Sequence, residues 1–365
     1  MRNAPLLVLA TLLWLSSVGP SGTALAVEPY LSVRTGLRCS VCHTNMTGGG
    51  KRNAFGSIYA QTRLSMMVTS LGDGGSFMAT DIADILSIGA DLRARASRKE
   101  TEDETLYPFE IEEGNLYIEA TLIRDRLTFY VDEEFAPGNP RSREVFALIK
   151  GLPGESYLKV GKFFLPYGFR LLDDTEFIRQ RTGFNFDNSD LGVEFGLEPG
   201  PLSVAVAVTN GTQGAAENNN DKQFSGYAAV VFPRWRVGVS GSRNEGETGD
   251  REAFGAFGGF RLGRFAFLGE YDFINDDPPH GRRGDQAVAF IEGDLLVTQG
   301  LNLKVAYGFL DPDRDVGENS RYRVRVGAEN FITQFLQASV YYSRLEDIPQ
   351  VGNRDEVTFE LHTFF

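Results

Sequence analysis

The chain is poor in the residues that most often carry chemistry. Two cysteines and three histidines serve 365 residues. A structural zinc site takes four ligands. Cys39, Cys42 and His43 supply three, and the other histidines, His280 and His362, stand far along the chain. No serine–histidine–acid set, phosphate loop or dinucleotide fingerprint occurs in a context that would support it. Nothing points to nucleic acid. Beyond the first residues there is no long apolar run, which excludes a transmembrane helix from the body of the chain.

What is present starts at the N-terminus. Arg2, the apolar "PLLVLATLLWL" and the small-residue "ALA" ending at Ala26 predict a secretory signal peptide over 1–26, cut after Ala26. The competing reading is a retained anchor helix, for which the apolar run is short of the ~20 residues a span needs. The mature chain is then expected to leave the cytoplasm, where two nearby cysteines can form a disulfide.

Both cysteines lie in "GLRCSVCHTN". A redox dithiol is expected in a thioredoxin-like βαβ setting, and no such pattern follows. C-x-x-C-H is the spacing of covalent haem c attachment. Two thiols separated by two residues reach both haem vinyl groups from one short helical turn, and the adjacent imidazole falls beneath the iron. The expectation is one haem c, with Cys39 and Cys42 as thioethers and His43 as proximal iron ligand; a plain disulfide is the alternative.

Residues 27–80 offer one short helix after the glycines of "TGGGKRNAFGSIYAQTR", with Phe55, Ile58 and Tyr59 on one face. That is too little protein to enclose a haem. From 81 to 365 the pattern changes to runs of about ten residues alternating apolar with polar, the period of strands with one apolar face. "LSVAVAVTN" sets Leu202, Val204, Val206 and Val208 against Ser203, Ala205, Ala207 and Thr209. "RYRVRVGAE" sets Tyr322, Val324 and Val326 against Arg321, Arg323 and Arg325. A row of arginines does not suit a sandwich core; it suits a barrel with lipid outside and water inside. Tight connections such as "FPRW" and "LGRF" alternate with long polar ones such as "NGTQGAAENNND" and "NDDPPHGRRGD", as in outer-membrane barrels. The runs number about 16. The fold class predicted is all-β, an outer-membrane antiparallel β-barrel of about 16 strands; an extracellular protein of one or two sandwiches is the alternative. The chain ends on Phe365, closing an amphipathic strand in the manner of the signal read by barrel-assembly machinery.

Arg34, Gly36, Leu37, Cys39, Cys42, His43, Asn53, Phe55, Gly56 and Tyr59, followed by a barrel, resemble the fused monohaem cytochrome–porins of Gram-negative outer membranes. The iron oxidases are the best studied of these. Gly48–Gly50 depart from the proline-containing spacer of the iron oxidases, and "VGKFFLPYGFR" also resembles anion-selective porins. The resemblance implies that residues 27–80 form a haem-binding segment plugging the periplasmic mouth of the barrel, with the barrel wall supplying the missing cover. It implies an electron-transfer protein working between an extracellular donor, ferrous iron among the candidates, and a periplasmic cytochrome or other carrier. The alternative is a solute porin whose haem is structural or sensory, and a sheath for separate multihaem cytochromes ranks below both.

Phe55 and Tyr59 are candidates for packing on the haem. Met66, Met67 and Met78 are candidate distal ligands, each equally able to serve as apolar filler. Met46 is too close to His43 to reach the opposite face. His362 is a weaker ligand candidate near the periplasmic end, and His280 falls in an outer loop. The connection from about 166 to 189 is the third outer loop, the one porins fold inward. Its Asp173, Asp174 and Glu176 suit a cation path and Arg179 and Arg181 an anion path, set against internal ion pairing. The net charge of −13 suits either attraction of a cation or simple loop solubility.

Overall fold

The computed structural model describes residues 29–67 and 81–365, apart from positions 84, 102, 174, 185, 187, 218, 247–248, 279–282 and 348–352, and the backbone alone at 81–83. The expected signal peptide, Met78, Asp174 and His280 lie outside the described residues.

Sixteen long strands follow one another round a single sheet. They are β1 (Leu86–Glu100), β2 (Phe109–Ile123), β3 (Leu127–Ala136), β4 (Arg141–Leu152), β5 (Ser156–Phe164), β6 (Ser189–Leu197), β7 (Leu202–Thr209) and β8 (Gln223–Phe232). The second half comprises β9 (Trp235–Asn244), β10 (Asp250–Leu262), β11 (Phe265–Asp277), β12 (Gly284–Thr298), β13 (Leu301–Asp311), β14 (Arg321–Thr333), β15 (Leu336–Asp347) and β16 (Arg354–Phe364). Each strand pairs antiparallel with its sequence neighbours, and β16 pairs with β1, Asp355 opposite Glu100 and Phe364 opposite Asp91. The seam is finished by Phe365, whose amide donates to the Ala90 carbonyl at 3.0 Å while the Ala90 amide donates back at 3.2 Å. Closure leaves no edge with unpaired backbone groups.

The alternation read from the sequence is realised. Val204, Ala205, Val206 and Ala207 alternate along β7, with Val206 exposed on the outer surface while Ala205 and Ala207 are buried inside. Leu303, Val305 and Tyr307 on β13 and Val324 and Val326 on β14 face out; Asn302, Lys304 and Arg323 are buried within. Such a band of exposed large apolar side chains is unfavourable in water by ~25 cal/mol per Å² and is at home against lipid. A closed barrel is one of the two architectures that satisfy their backbone in a bilayer. The chain is an outer-membrane β-barrel of the Gram-negative type.

The two ends of the barrel differ. Pro233 and Arg234 alone join β8 to β9, and Gly263 and Arg264 alone join β10 to β11, where Gly263 takes the left-handed φ of +58° that a tight turn requires. Long connections occupy the opposite end. The longest, 165–188, folds into the lumen: the Tyr167 hydroxyl donates to Asp272 at 2.9 Å and the Phe169 amide to Glu270 at 2.6 Å. A short helix in this loop, Phe177–Thr182, packs on β11, β12 and β13.

Residues 29–67 lie at the short-turn end, against the inner wall. The helix α1 (Pro29–Thr35), a 3-10 turn (Cys39–Val41), the helix α2 (Ala54–Tyr59) and one wide turn (Ala60–Leu64) meet the wall around its circumference. Thr44 and Lys51 reach Glu119 on β2 at 2.6 and 3.1 Å. Asn45 bonds Glu144 on β4 and Lys159 on β5 at 2.8 and 2.9 Å. Arg236 on β9 donates to the Ser32 and Leu37 carbonyls, and Arg261 on β10 to the Arg34 carbonyl. Arg34 reaches Asn302 on β13, and the Tyr30 hydroxyl donates to Glu329 on β14. The Met66 and Met67 amides donate to the Phe331 and Ile332 carbonyls at 2.7 and 3.0 Å.

Candidate functional site

The C-x-x-C-H segment is a single tight turn. The Cys42 and His43 amides both donate to the Cys39 carbonyl, at 3.1 and 3.0 Å. Such a turn leaves its later carbonyls without helical partners, and Asn53 supplies them. Its amide nitrogen donates to the carbonyls of Val41 at 3.1 Å and His43 at 3.3 Å. Its oxygen meanwhile caps α2 by accepting from the Gly56 amide at 3.0 Å. The Asn53 amide also donates to the Cys42 carbonyl at 2.9 Å. The Asn-x-Phe-Gly element is therefore the clamp that holds the cysteine turn against α2.

The glycine run that follows has its own reason. Gly48, Gly49 and Gly50 take φ values of +91°, +86° and +63°, a left-handed stretch that side chains resist. The run passes close to the inward loop and the wall: an added Cβ would come 2.5 Å from the Phe186 ring at Gly49 and 2.2 Å from the Tyr130 hydroxyl at Gly50.

Cys39, Cys42 and His43 line one cavity between this segment and the barrel. The unfilled space, including the part open to solvent, is about 860 Å³. The opposite walls are Phe169, Arg170 and Phe186 of the inward loop and Tyr227, Arg236 and Phe257 of the barrel strands. The cysteines are not joined to each other. Burial pushes the Cys42 thiol up to about 12, with Cys39 adding to it; burial also raises Cys39, against the pull of Arg236 and Arg170. Burial and the Arg52 cation hold the His43 imidazole down, at about 4. His43 is therefore neutral at physiological pH, and the backbone of Gly49, Gly50 and Lys51 lies beside the ring, acting against the downward shift.

The remaining candidates lie elsewhere. Tyr59 is buried in the core and Phe55 is half exposed with its ring 6.2 Å from that of Tyr59; neither is among the residues lining the cavity. Met66 and Met67 sit at the short-turn rim with exposed side chains. Met46, expected to be too close to His43, is a lining residue. His362 is buried near the same rim between Asp91 and Gln337, at 3.1 Å from each. In the inward loop, Asp173 and Glu176 pair with Arg323 of the wall, each at 2.9 Å, and Asp173 also with Arg325. Arg179 donates to the Leu171 and Leu172 carbonyls at 3.0 and 2.6 Å. The Arg323 and Arg325 pairs latch the loop to the wall, and the Arg179 bonds hold the loop to itself. Arg236, Tyr227 and Phe257 carried no sequence signal, because the turn and the wall meet only once the barrel closes; Arg170 ends the "VGKFFLPYGFR" stretch, which did not point to this cavity.

The fold places the chain among porin-like barrels. Solved structures similar to it include a loop-deleted OmpT, an outer membrane protein of Vibrio cholerae, at 15% identity and TM-score 0.62, covering 77% of this chain and 100% of that one. An anion-selective porin from Comamonas acidovorans matches at 10% identity and TM-score 0.62, over 77% and 99% of the two chains. The outer membrane channel DcaP of Acinetobacter baumannii matches at 11% identity and TM-score 0.58, over 77% and 97%. At these identities the likeness is one of fold. No family model and no curated protein matches the chain.

Proposed function

We propose that the protein is an outer-membrane electron-transfer protein holding one haem c, thioether-bound at Cys39 and Cys42, with His43 as proximal ligand. It passes electrons between an extracellular donor, ferrous iron among the candidates, and a periplasmic cytochrome or other carrier. One observation carries the reading: both thiols and the imidazole open on a single cavity whose far wall is the barrel itself. The residues fit the group. The thiols are free, the imidazole is neutral, and one turn holds all three at the spacing attachment requires. Bound there, haem c would supply one-electron exchange. The chain's own contribution is positional: Asn53 fixes the turn, Phe169, Phe186 and Phe257 exclude water, and the segment's contacts around the wall obstruct the lumen. An electron can then cross while the donor's oxidised product stays outside. Two measurements test this. A peroxidase-stained denaturing gel should show covalent haem that is lost on replacing Cys39 and Cys42 by Ala, and stopped-flow mixing with ferrous iron should reduce the haem. Staining that persists in the double variant removes the reading.

A second reading, a solute-conducting porin whose haem is structural or sensory, is supported by the likeness to a porin and a channel. It expects large single-channel conductance in the intact protein and no haem reduction by external donors.

A further inference from the structure

Two of the cavity's side chains have a charge that nothing on the described chain pairs. Arg170, on the inward loop, and Arg236, on β9, are 8% and 9% exposed, and both line the cavity shared by Cys39, Cys42 and His43. Among the other buried arginines, Arg93 and Arg143 pair with Glu113 and Arg323 with Asp173 and Glu176, while Arg34, which is not a lining residue, bonds the Asn302 oxygen. Arg170 donates only to carbonyls, of Gly48, Phe164 and Leu165. Arg236 donates only to those of Ser32 and Leu37, and its Nε is buried without a partner. Glu144 acts on Arg170 electrostatically, but its oxygens are engaged by Asn45 and the Phe164 amide. The third cavity arginine, Arg38, already has Glu198.

A guanidinium stays charged at any working pH, and leaving one buried without a counter-charge is costly. Carboxylates brought by a ligand meet both requirements, since the guanidinium fork matches them. Haem carries two propionate carboxylates. We propose that Arg170 and Arg236 anchor those two carboxylates, one from the inward loop and one from the barrel wall. The inference rests on the haem reading above and adds that the wall orients the haem through charge as well as covering it.

The arginines are positioning residues, and the test reads potential. A cation beside the haem favours the reduced form, so Arg236→Gln and Arg170→Gln should each lower the midpoint potential. A tenfold change in the oxidised-to-reduced ratio is about 59 mV for one electron. Thioether attachment depends on the cysteines, so haem staining should persist, and Arg236→Lys should recover most of the shift. Arg261→Gln is the control for seating of the segment, because Arg261 also holds its backbone, at the Arg34 carbonyl, and is not a lining residue. Should Arg236→Gln fail to assemble, Arg170→Gln runs the same test from another element. Stained protein whose potential is unchanged in both variants overturns the anchoring and leaves the haem reading standing. An equal drop in Arg261→Gln also overturns it, assigning the effect to seating. A wild-type protein without covalent haem overturns both.

Discussion

Gly56 lies against Cys42 so closely that a Cβ on Gly56 would sit 2.2 Å from the Cys42 carbonyl oxygen. The neighbour is backbone within the tight turn, so it has little room to give. Gly56→Ala should therefore push α2 off the turn, at a cost of about 1–3 kcal/mol for an overpacked site. The expected result is a barrel that still assembles, judged by heat-modifiable migration on gels, with a reduced yield of stained haem. Full staining with unchanged migration would show that the contact does not govern attachment.

Asn53→Ala removes the cap of α2, worth about 1 kcal/mol on its own, together with the amide bonds to the Val41 and His43 carbonyls. Its effect on haem yield should exceed that of Thr62→Ala, whose hydroxyl bonds only the Ile58 carbonyl on an exposed face. Comparing stained haem per folded barrel in the two variants checks this. Equal yields would mean that the turn holds itself without the clamp.

The latch of the inward loop should weaken as pH rises. Burial pushes Glu176 up to about 7, with Asp173 and Glu292 adding to it and Arg323 and Arg325 opposing. An acid raised in the native state binds more protons there than in the released state, so its contribution falls between about pH 4.3 and 7. Burial also acts to raise Asp173, but Arg323 and Arg325 outweigh it and hold that carboxyl well below the usual range. The Asp173 contribution is therefore present above about pH 3.9 and constant through the window. Protease nicking within 177–184 of detergent-solubilised protein should be faster at pH 8 than at pH 5. Glu176→Gln should remove that difference, and Asp173→Asn should speed nicking at both values. A wild-type rate independent of pH would rule out this role for Glu176.

Much of this was legible in the sequence because two signals are local. Period-2 alternation fixes the side of each strand residue, so the outward rows of Val204, Val206 and Val208 and of Val324 and Val326 could be read without a partner strand. The cysteine turn is equally local, since Cys39, Cys42 and His43 lie within one bend. The cavity's other half was not legible. Arg236 and Phe257 meet Cys39 only because sixteen registers close the ring, and no short-range pattern encodes that. The methionines show the same limit. Met46, expected to be too close to His43 to reach the opposite face, lines the cavity, while Met66, expected at a plausible distance, is held at the rim by backbone pairing to β14.

Topology follows from the unequal ends of the barrel. Epitope tags placed near 215, 247 and 315 fall between strands at the end opposite the short turns and should be labelled on intact cells. Tags near 199 and 263 lie in short turns and should be labelled only after the outer membrane is opened. Reversed accessibility would put the residue 29–67 segment at the outer face and invert the proposed direction of approach for both donor and carrier.

The segment's ring of contacts decides between an electron path and a solute path. From Glu119 on β2 to Glu329 on β14, inward side chains of the wall are tied to residues 29–67, and the inward loop adds Arg170 to the Gly48 carbonyl at 2.8 Å. On the electron-transfer reading, the two together obstruct the path through which a porin conducts. Intact protein in planar bilayers should therefore show small conductance, and deletion of 29–67 should raise it severalfold while leaving the barrel folded, since the strands close on one another without that segment. Substituting Glu119 and Glu144 by Gln should give an intermediate result by loosening the ties to Thr44, Lys51 and Asn45. If the intact protein already conducts as freely as the deletion, the segment is no plug in the membrane. The case for electron transfer across a closed barrel would then yield to the porin reading, with the cysteine turn a passenger at its mouth.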